Sequence, residues 1–202
     1  MFALIDNQKI TKFYSGNKGV IIGDNQYPRS IFTLWNETQR NAIGIFEVTV
    51  DTTNKKDQQW YINTNVSYGV ESNKAVGSYG IATAKAHADT LFTAQDETDG
   101  LGTEGEVKTR GLKYNLIQAV KKQAANILAE TDWYITRKAD AGTAVPSSIT
   151  THRAAVRTKA ASMETAITNA SDTPALETLY TYTRQEDGSS TRPLGELPRL
   201  ES

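Results

Sequence analysis

Apolar and polar positions alternate with two different periods along this chain, and the change of period divides it. Over the first seventy residues the short-range pattern is that of strands. Phe2-Ala3-Leu4-Ile5 is an apolar run stopped by Asp6-Asn7, and Lys9-Ile10-Thr11-Lys12-Phe13-Tyr14 follows with partial alternation. Asn7 tolerates the left-handed backbone of a tight turn, so the two runs read as a hairpin. Val20-Ile21-Ile22 is a third strand, closed by a Gly23-Asp24-Asn25 turn. Ile45-Phe46-Glu47-Val48-Thr49-Val50 alternates best of all. Trp60-Tyr61-Ile62 and Val66-Ser67-Tyr68-Gly69-Val70 read as a further hairpin pair, with the wholly polar stretch Asp51 to Gln59 a loop before them. Between the third strand and Ile45, Asn36 and Gln39 have the spacing of a reciprocal helix cap, and Gly44 sits where a short helix should stop. Leu34, Trp35, Ile43 and Ile45 would pin that helix to the sheet.

From Leu112 the period becomes helical. Leu112, Leu116, Ala119, Val120, Gln123, Ile127 and Leu128 recur at steps of three and four, and Asp132-Trp133 is expected to close the helix. After a loop holding Gly142 and Pro146, Ser147 or Ser148 can cap a second helix. Its apolar line runs Ile149, Val156, Ala160, Met163 and Ile167, broken only by Arg153. Both stripes are lean in large side chains, so the pair is expected to need a partner surface. The expected fold is α+β. A β-rich mixed domain spans 1–95, and a Gly/acidic linker spans 96–110, where Asp96-Glu97-Thr98-Asp99-Gly100-Leu101-Gly102 is small, polar and glycine-rich. A helical hairpin module spans 111–170, and an extended or disordered tail spans 171–202.

Composition narrows the function classes. Lys and Arg number 22 against 23 Asp and Glu in 202 residues, a net charge of −1, so no global field favours nucleic acid or an anionic membrane. Arg137, Lys138, Arg153, Arg157 and Lys159 give the helix pair some positive charge. The aromatics that single-strand binding interleaves are missing from the second helix, and a solvated face is the favoured reading. There is no cysteine, which removes disulfides, thiolate nucleophiles and thiolate metal sites. No apolar run approaches the roughly 20 residues that span a bilayer, and the start lacks the form of a signal peptide. A soluble protein without nucleic-acid or membrane partners is expected.

Chemistry leaves little mark. His87 and His152 stand far apart without metal-ligand partners at helical spacing, so no metal and no cofactor is expected. The acidic cluster Asp96-Glu97-Asp99 falls in a glycine-rich stretch where rigid catalytic placement is hard. Gly100-Leu101-Gly102-Thr103-Glu104-Gly105 lacks the Lys-Ser/Thr ending of a phosphate loop. No catalytic residue is assigned. Trp133, flanked by Asp132 and Tyr134, is the informative aromatic. It either caps the small core between the helices or stands exposed as an interface anchor.

The run Ala125-Asn126-Ile127-Leu128-Ala129-Glu130-Thr131-Asp132-Trp133, followed beyond the proline by His152-Arg153-Ala154-Ala155-Val156-Arg157, resembles the pattern of the phage tail assembly chaperone family and its relatives. There a helix ends in Leu-Leu-x-x-x-Asp-Trp, and Tyr-Arg-x-x-Leu-Arg opens the next. The resemblance is best over 112–170. The N-terminal stretch Met1 to Asn7, with Tyr27-Pro28 and Leu34-Trp35 further on, is similar more loosely to tail-fibre proteins. Ile127 replaces the first Leu, His152 the Tyr and Val156 the second Leu; the Arg expected early in the first helix appears only as Lys121 or Lys122. The resemblance implies a non-enzymatic virion protein of the tail tip, baseplate or tail-fibre attachment, made in the host cytoplasm and partnered by other tail or tail-fibre proteins and by copies of itself. A non-virion assembly chaperone is the alternative, and a glycan-acting tail enzyme a more distant one. Leu128, Asp132, Trp133, Arg153 and Arg157 are the interaction residues it implies.

Overall fold

The computed structural model describes residues 1–200. The fold is α+β, in two compact units, Met1–Thr83 and the chain from Ala84 onward.

In the first unit, β1 (Phe2–Asp6) and β2 (Lys9–Tyr14) form the expected antiparallel hairpin. Its two turn residues, Asn7 and Gln8, both take positive φ (48° and 62°), the backbone of a type I′ turn whose twist matches the strands. β3 (Val20–Ile22) pairs with β4 (Asn25–Tyr27). α1 (Glu37–Asn41) carries the predicted cap: Gln39 N donates to Asn36 Oδ1 at 2.9 Å, and Asn36 N donates to Gln39 Oε1 at 3.0 Å. β5 (Ile45–Asp51), the short β6 (Tyr61–Ile62), β7 (Val66–Glu71) and β8 (Lys74–Tyr79) follow, and β9 (Thr83–Ala84) falls at the division between the units. One mixed sheet runs β2-β1-β5-β8-β7, with β5 and β8 parallel and the other neighbours antiparallel. It curls into a half-barrel, so that the rings of Phe13 and Tyr68 on the outer strands meet with centroids 4.9 Å apart.

Val20, Ile31, Phe32 and Ile45 are the buried centre of this unit, and Phe2, Leu4, Trp35 and Ile43 pack around them. Leu34 does not join, being 80% exposed. The hairpin partner of β7 is β8 and not the Trp60–Ile62 stretch. β8 is poorly marked in sequence because of Gly77, yet that glycine lies opposite Tyr68 in the register. A Cβ there would come within 2.8 Å of the Tyr68 ring, so the missing side chain is what lets the ring cover the strand.

The second unit begins with residues expected to be part domain and part linker. β10 (Thr90–Leu91) and β11 (Val107–Thr109) pair, and α2 (Ala94–Thr98) lies between them under a reciprocal Thr93–Asp96 cap. The 96–110 linker is therefore a folded turn, and the division of the chain falls ahead of it, after Thr83. Gly102 is small because Phe92 lies over it, where a Cβ would be 2.5 Å from the ring. Its glycine serves close packing and not flexibility.

α3 (Leu112–Ala129) and α5 (Ser147–Asn169) pack antiparallel, as Lys121 with Glu164 (3.6 Å) and Lys113 with the Thr168 carbonyl (2.8 Å) show. The α5 stripe is buried as read: Ile149, Val156, Ala160, Met163 and Ile167. His152 and Arg153 are buried with it. On α3 the fully buried residues are Val120 and Ala124; Leu112, Leu116, Ile127 and Leu128 are half-buried. Asp132 does not end α3. It opens a separate helix, α4 (Asp132–Ala141), which stops at Gly142 in the left-handed conformation (φ 70°). Residue 146, a proline, precedes the first turn of α5, and no serine side chain caps it.

The stretch expected as an extended or disordered tail also has structure. α6 (Thr173–Tyr180) is capped by Asp172, whose side chain accepts from Ala175 N. Thr173 is buried and donates to the Lys85 carbonyl at 2.6 Å. β12 (Thr183–Arg184) and β13 (Ser190–Thr191) form a small hairpin, and Leu194 beyond it is buried. The last two residues of the expected tail lie outside the described range.

Candidate functional site

The end of a helix leaves carbonyls without partners, and the junction after α3 shows how this chain supplies one. Thr131 Oγ1 donates to the Leu128 carbonyl at 3.0 Å. Arg153 reaches across from α5 and donates through Nη1 to the same carbonyl (2.6 Å) and to Thr131 Oγ1 (2.7 Å). Its Nη2 pairs with Asp132 Oδ1 at 2.8 Å. A single guanidinium, 7% exposed, thus closes α3 and holds the first residue of α4. The planar fork of arginine suits this, because two nitrogens must serve three acceptors in different directions. Asp132 also lies in the first turn of α4, where a negative charge meets the positive end of the helix dipole.

Four of the five predicted interaction residues are placed by this clamp. Leu128, Asp132 and Arg153 are its members, and Trp133 is the next residue out. Trp133 is not a core residue: it is 51% exposed. Its ring lies 3.9 Å from that of Tyr134 and 5.2 Å from the Arg137 guanidinium carbon, and none of the ten residues of α4 is buried. Arg157 is exposed and takes no part in the junction. Beside Arg153, His152 is buried with its Nε2 lacking a hydrogen-bond partner among the described residues. Thr131, 2% exposed, was not singled out by sequence reasoning; its place one residue before the Asp-Trp pair was the available signal.

A second arrangement, at the C-terminal end, left no motif. The Arg192 guanidinium carbon lies 5.1 Å from the ring centre of Tyr180 and 5.2 Å from that of Tyr182. Arg192 Nε and Nη2 both reach the Glu196 carboxylate, at 2.8 and 3.0 Å. The Tyr182 hydroxyl donates to Glu196 Oε1 at 2.5 Å, and that bond raises the Tyr182 pKa above its ordinary value, because ionising the phenol would lose it. Lys159 from α5 donates to the Leu194 carbonyl at 2.8 Å and fixes the segment to the helices. Between residues 196–200 and α3 lies an open groove of about 960 Å³. The signal in sequence was the Tyr180-Thr181-Tyr182 repeat ahead of an arginine, too common a combination to read alone.

The acidic stretch after Thr93 is neutralised from within. Lys108 Nζ lies 2.6 Å from Asp96 Oδ1 and, with the Thr93 cap, lowers the Asp96 pKa to about 2. Among the described residues no group of three or more His, Asp and Glu could hold a metal ion, and no helix is long and apolar enough to cross a membrane.

Comparison with protein-family models, with curated proteins and with solved structures finds no match to this chain.

Proposed function

We propose that this chain is a structural protein of a bacteriophage tail, placed at the tail tip, baseplate or tail-fibre attachment, that acts through protein–protein contacts and not by catalysis. The observation that supports it is the Arg153 clamp. The motif residues Leu128, Asp132 and Arg153 are spent on holding a helix junction, and what that junction presents is the half-exposed indole of Trp133 on a helix with no buried residue. An aromatic held at a fixed position outside the core is the kind of residue that anchors interfaces. Self-association belongs to the same reading, since parts of a tail follow its rotational symmetry.

Mass spectrometry of purified particles tests the proposal: a virion component is found at stoichiometric copy number, and absence from intact particles refutes it. The likeness of the motif to tail assembly chaperones favours a second reading, a non-virion chaperone of tail or fibre assembly. That protein would be missing from particles and would co-purify with an unassembled tail or fibre protein from infected cells. Under either reading, Trp133→Ala leaves a folded chain that loses its partner.

A further inference from the structure

The groove beside α3 combines features that the clamp does not explain. Tyr182 is 54% exposed and lines it, yet the ring is held at its hydroxyl and over one face. Arg192 covers one face, Glu196 takes the hydroxyl, and the guanidinium and carboxylate are themselves joined by one hydrogen bond, Nη2 to Oε2, and a 2.8 Å ion-pair contact from Nε. A ring fixed in this way loses little rotamer freedom when something stacks on it, which removes the side-chain ordering part of the cost of binding.

The opposite wall is polar. Gln123 and Asn126 line the groove from α3 and Glu130 from its C-cap, and their spacing of three and four puts them on one helix face. All three are exposed, and their side chains form no hydrogen bond or ion pair with the described residues. Two carboxamides, each able to donate and accept, stand beside one carboxylate that only accepts. The apolar part of the lining includes half-buried Ile127. The charges cancel: Glu196 is matched by Arg192, and Glu130 is opposed in sign by Arg199, which lines the same groove.

We propose that this groove binds a neutral oligosaccharide, with a sugar ring stacked on Tyr182 and its hydroxyls bonded by Gln123, Asn126 and Glu130. A pyranose offers an apolar C–H face together with hydroxyls that both donate and accept, which matches an aromatic platform set across from carboxamides. Cancelled charge argues against a polyanionic ligand. A β-strand-like peptide finds no ladder on the α3 wall, because the main chain of that helix is spent internally. The volume, about 960 Å³, lies at the upper end of the range for ligand clefts, roughly 300–1,000 Å³. The assignment does not depend on the tail reading, and holds or fails separately from it.

The test uses the full chain on an array of neutral and anionic glycans, followed by titration with cellotriose, maltotriose and tri-N-acetylchitotriose observed by saturation-transfer NMR. Binding is expected to at least one neutral glycan. Tyr182→Ala should weaken it about tenfold, the size of a lost stacking contact, and Tyr182→Phe should retain most of it. The double variant Gln123→Ala/Asn126→Ala, which touches only exposed side chains, should weaken it about fivefold or more with no change in melting temperature. The proposal is overturned if no neutral glycan binds, if only anionic glycans bind, if binding survives both the Tyr182→Ala and the double substitution, or if an extended peptide and no sugar shifts the resonances of Gln123 and Asn126.

Discussion

Arg153→Ala is the perturbation that interrogates the junction most directly. The side chain is buried and makes three polar contacts, at 2.6 Å to the Leu128 carbonyl, 2.7 Å to Thr131 Oγ1 and 2.8 Å to Asp132 Oδ1. These contributions are unequal. Asp132 is exposed, so water replaces the guanidinium there and the ion pair is worth no more than about 1 kcal/mol. The Leu128 carbonyl keeps its bond from Thr131, which softens that loss. The charge-assisted bonds to Leu128 and Thr131 are made away from solvent and are worth about 1.5–3 kcal/mol together after this discount. Truncation of the buried stem adds a packing loss of about 1 kcal/mol. The expected cost is about 2.5–5 kcal/mol, or on the order of 10–20 °C for a unit of this size. Urea unfolding followed by circular dichroism at 222 nm reads the change, because the long helices all lie in the second unit. Arg153→Lys should recover the charge but not the fork, and regain only part of the loss. Amide exchange should quicken most in α4. If Arg153→Ala unfolds within 0.5 kcal/mol (approximately the spread of neutral surface changes) of the parent, the clamp does not hold the junction.

Other outcomes follow from single contacts. Trp133→Ala should cost less than about 1 kcal/mol, since half its surface is already in water; a loss of about 3 kcal/mol or more in urea titration would return the indole to the core. His152→Leu should leave stability unchanged or raise it, because it removes a buried nitrogen that lacks a partner; a strong destabilisation would show that His152 makes a bond this structure does not contain. Gly111→Ala should destabilise by about 2 kcal/mol or more, as its Cβ would collide with the Ala88 carbonyl, and thermal melting checks it. Asp96 has a folded-state pKa lowered from 3.8 to about 2 by Lys108 and Thr93, so its stabilising effect is present above pH 3.8 and is lost as pH falls towards 2. Lys108→Met should flatten the fall in melting temperature across that window, and an unchanged acid limb would refute the pairing.

Legibility in the sequence followed how local the determining interactions are. The α1 cap and the Gly44 stop were readable because Asn36, Gln39 and Gly44 settle the matter within a few residues. The α5 stripe was readable because five apolar positions repeat on one face. Arg153 interrupted that stripe, and only the packed pair shows that its charge belongs inside, opposite a helix end 25 residues away. The folded turn at 96–110 was hidden because a glycine beneath an aromatic ring, as Gly102 is beneath Phe92, is indistinguishable in composition from a flexible one. The C-terminal segment was hidden for a related reason. A few residues order it, among them buried Leu194 and Arg192 between Tyr180 and Tyr182, too few to raise its mean hydropathy. Trp133 could not be assigned from sequence because both of its readings place an aromatic at the same expected helix end.

The clamp also sets an order of events. A helix of ten residues is shorter than the roughly 12–15 that hold shape alone in water, and α4 has no fully buried residue to compensate. Its fixing group, Arg153, lies 22 positions beyond Thr131, so a growing chain reaches α4 well before it reaches the residue that fixes it. The lasting form of α4 must wait until α5 has been made and laid against α3. A chain still being synthesised, or one whose helix pair has come apart, therefore does not display Trp133 in its final setting. The exposed indole in its final setting is thus a mark of the finished helix pair.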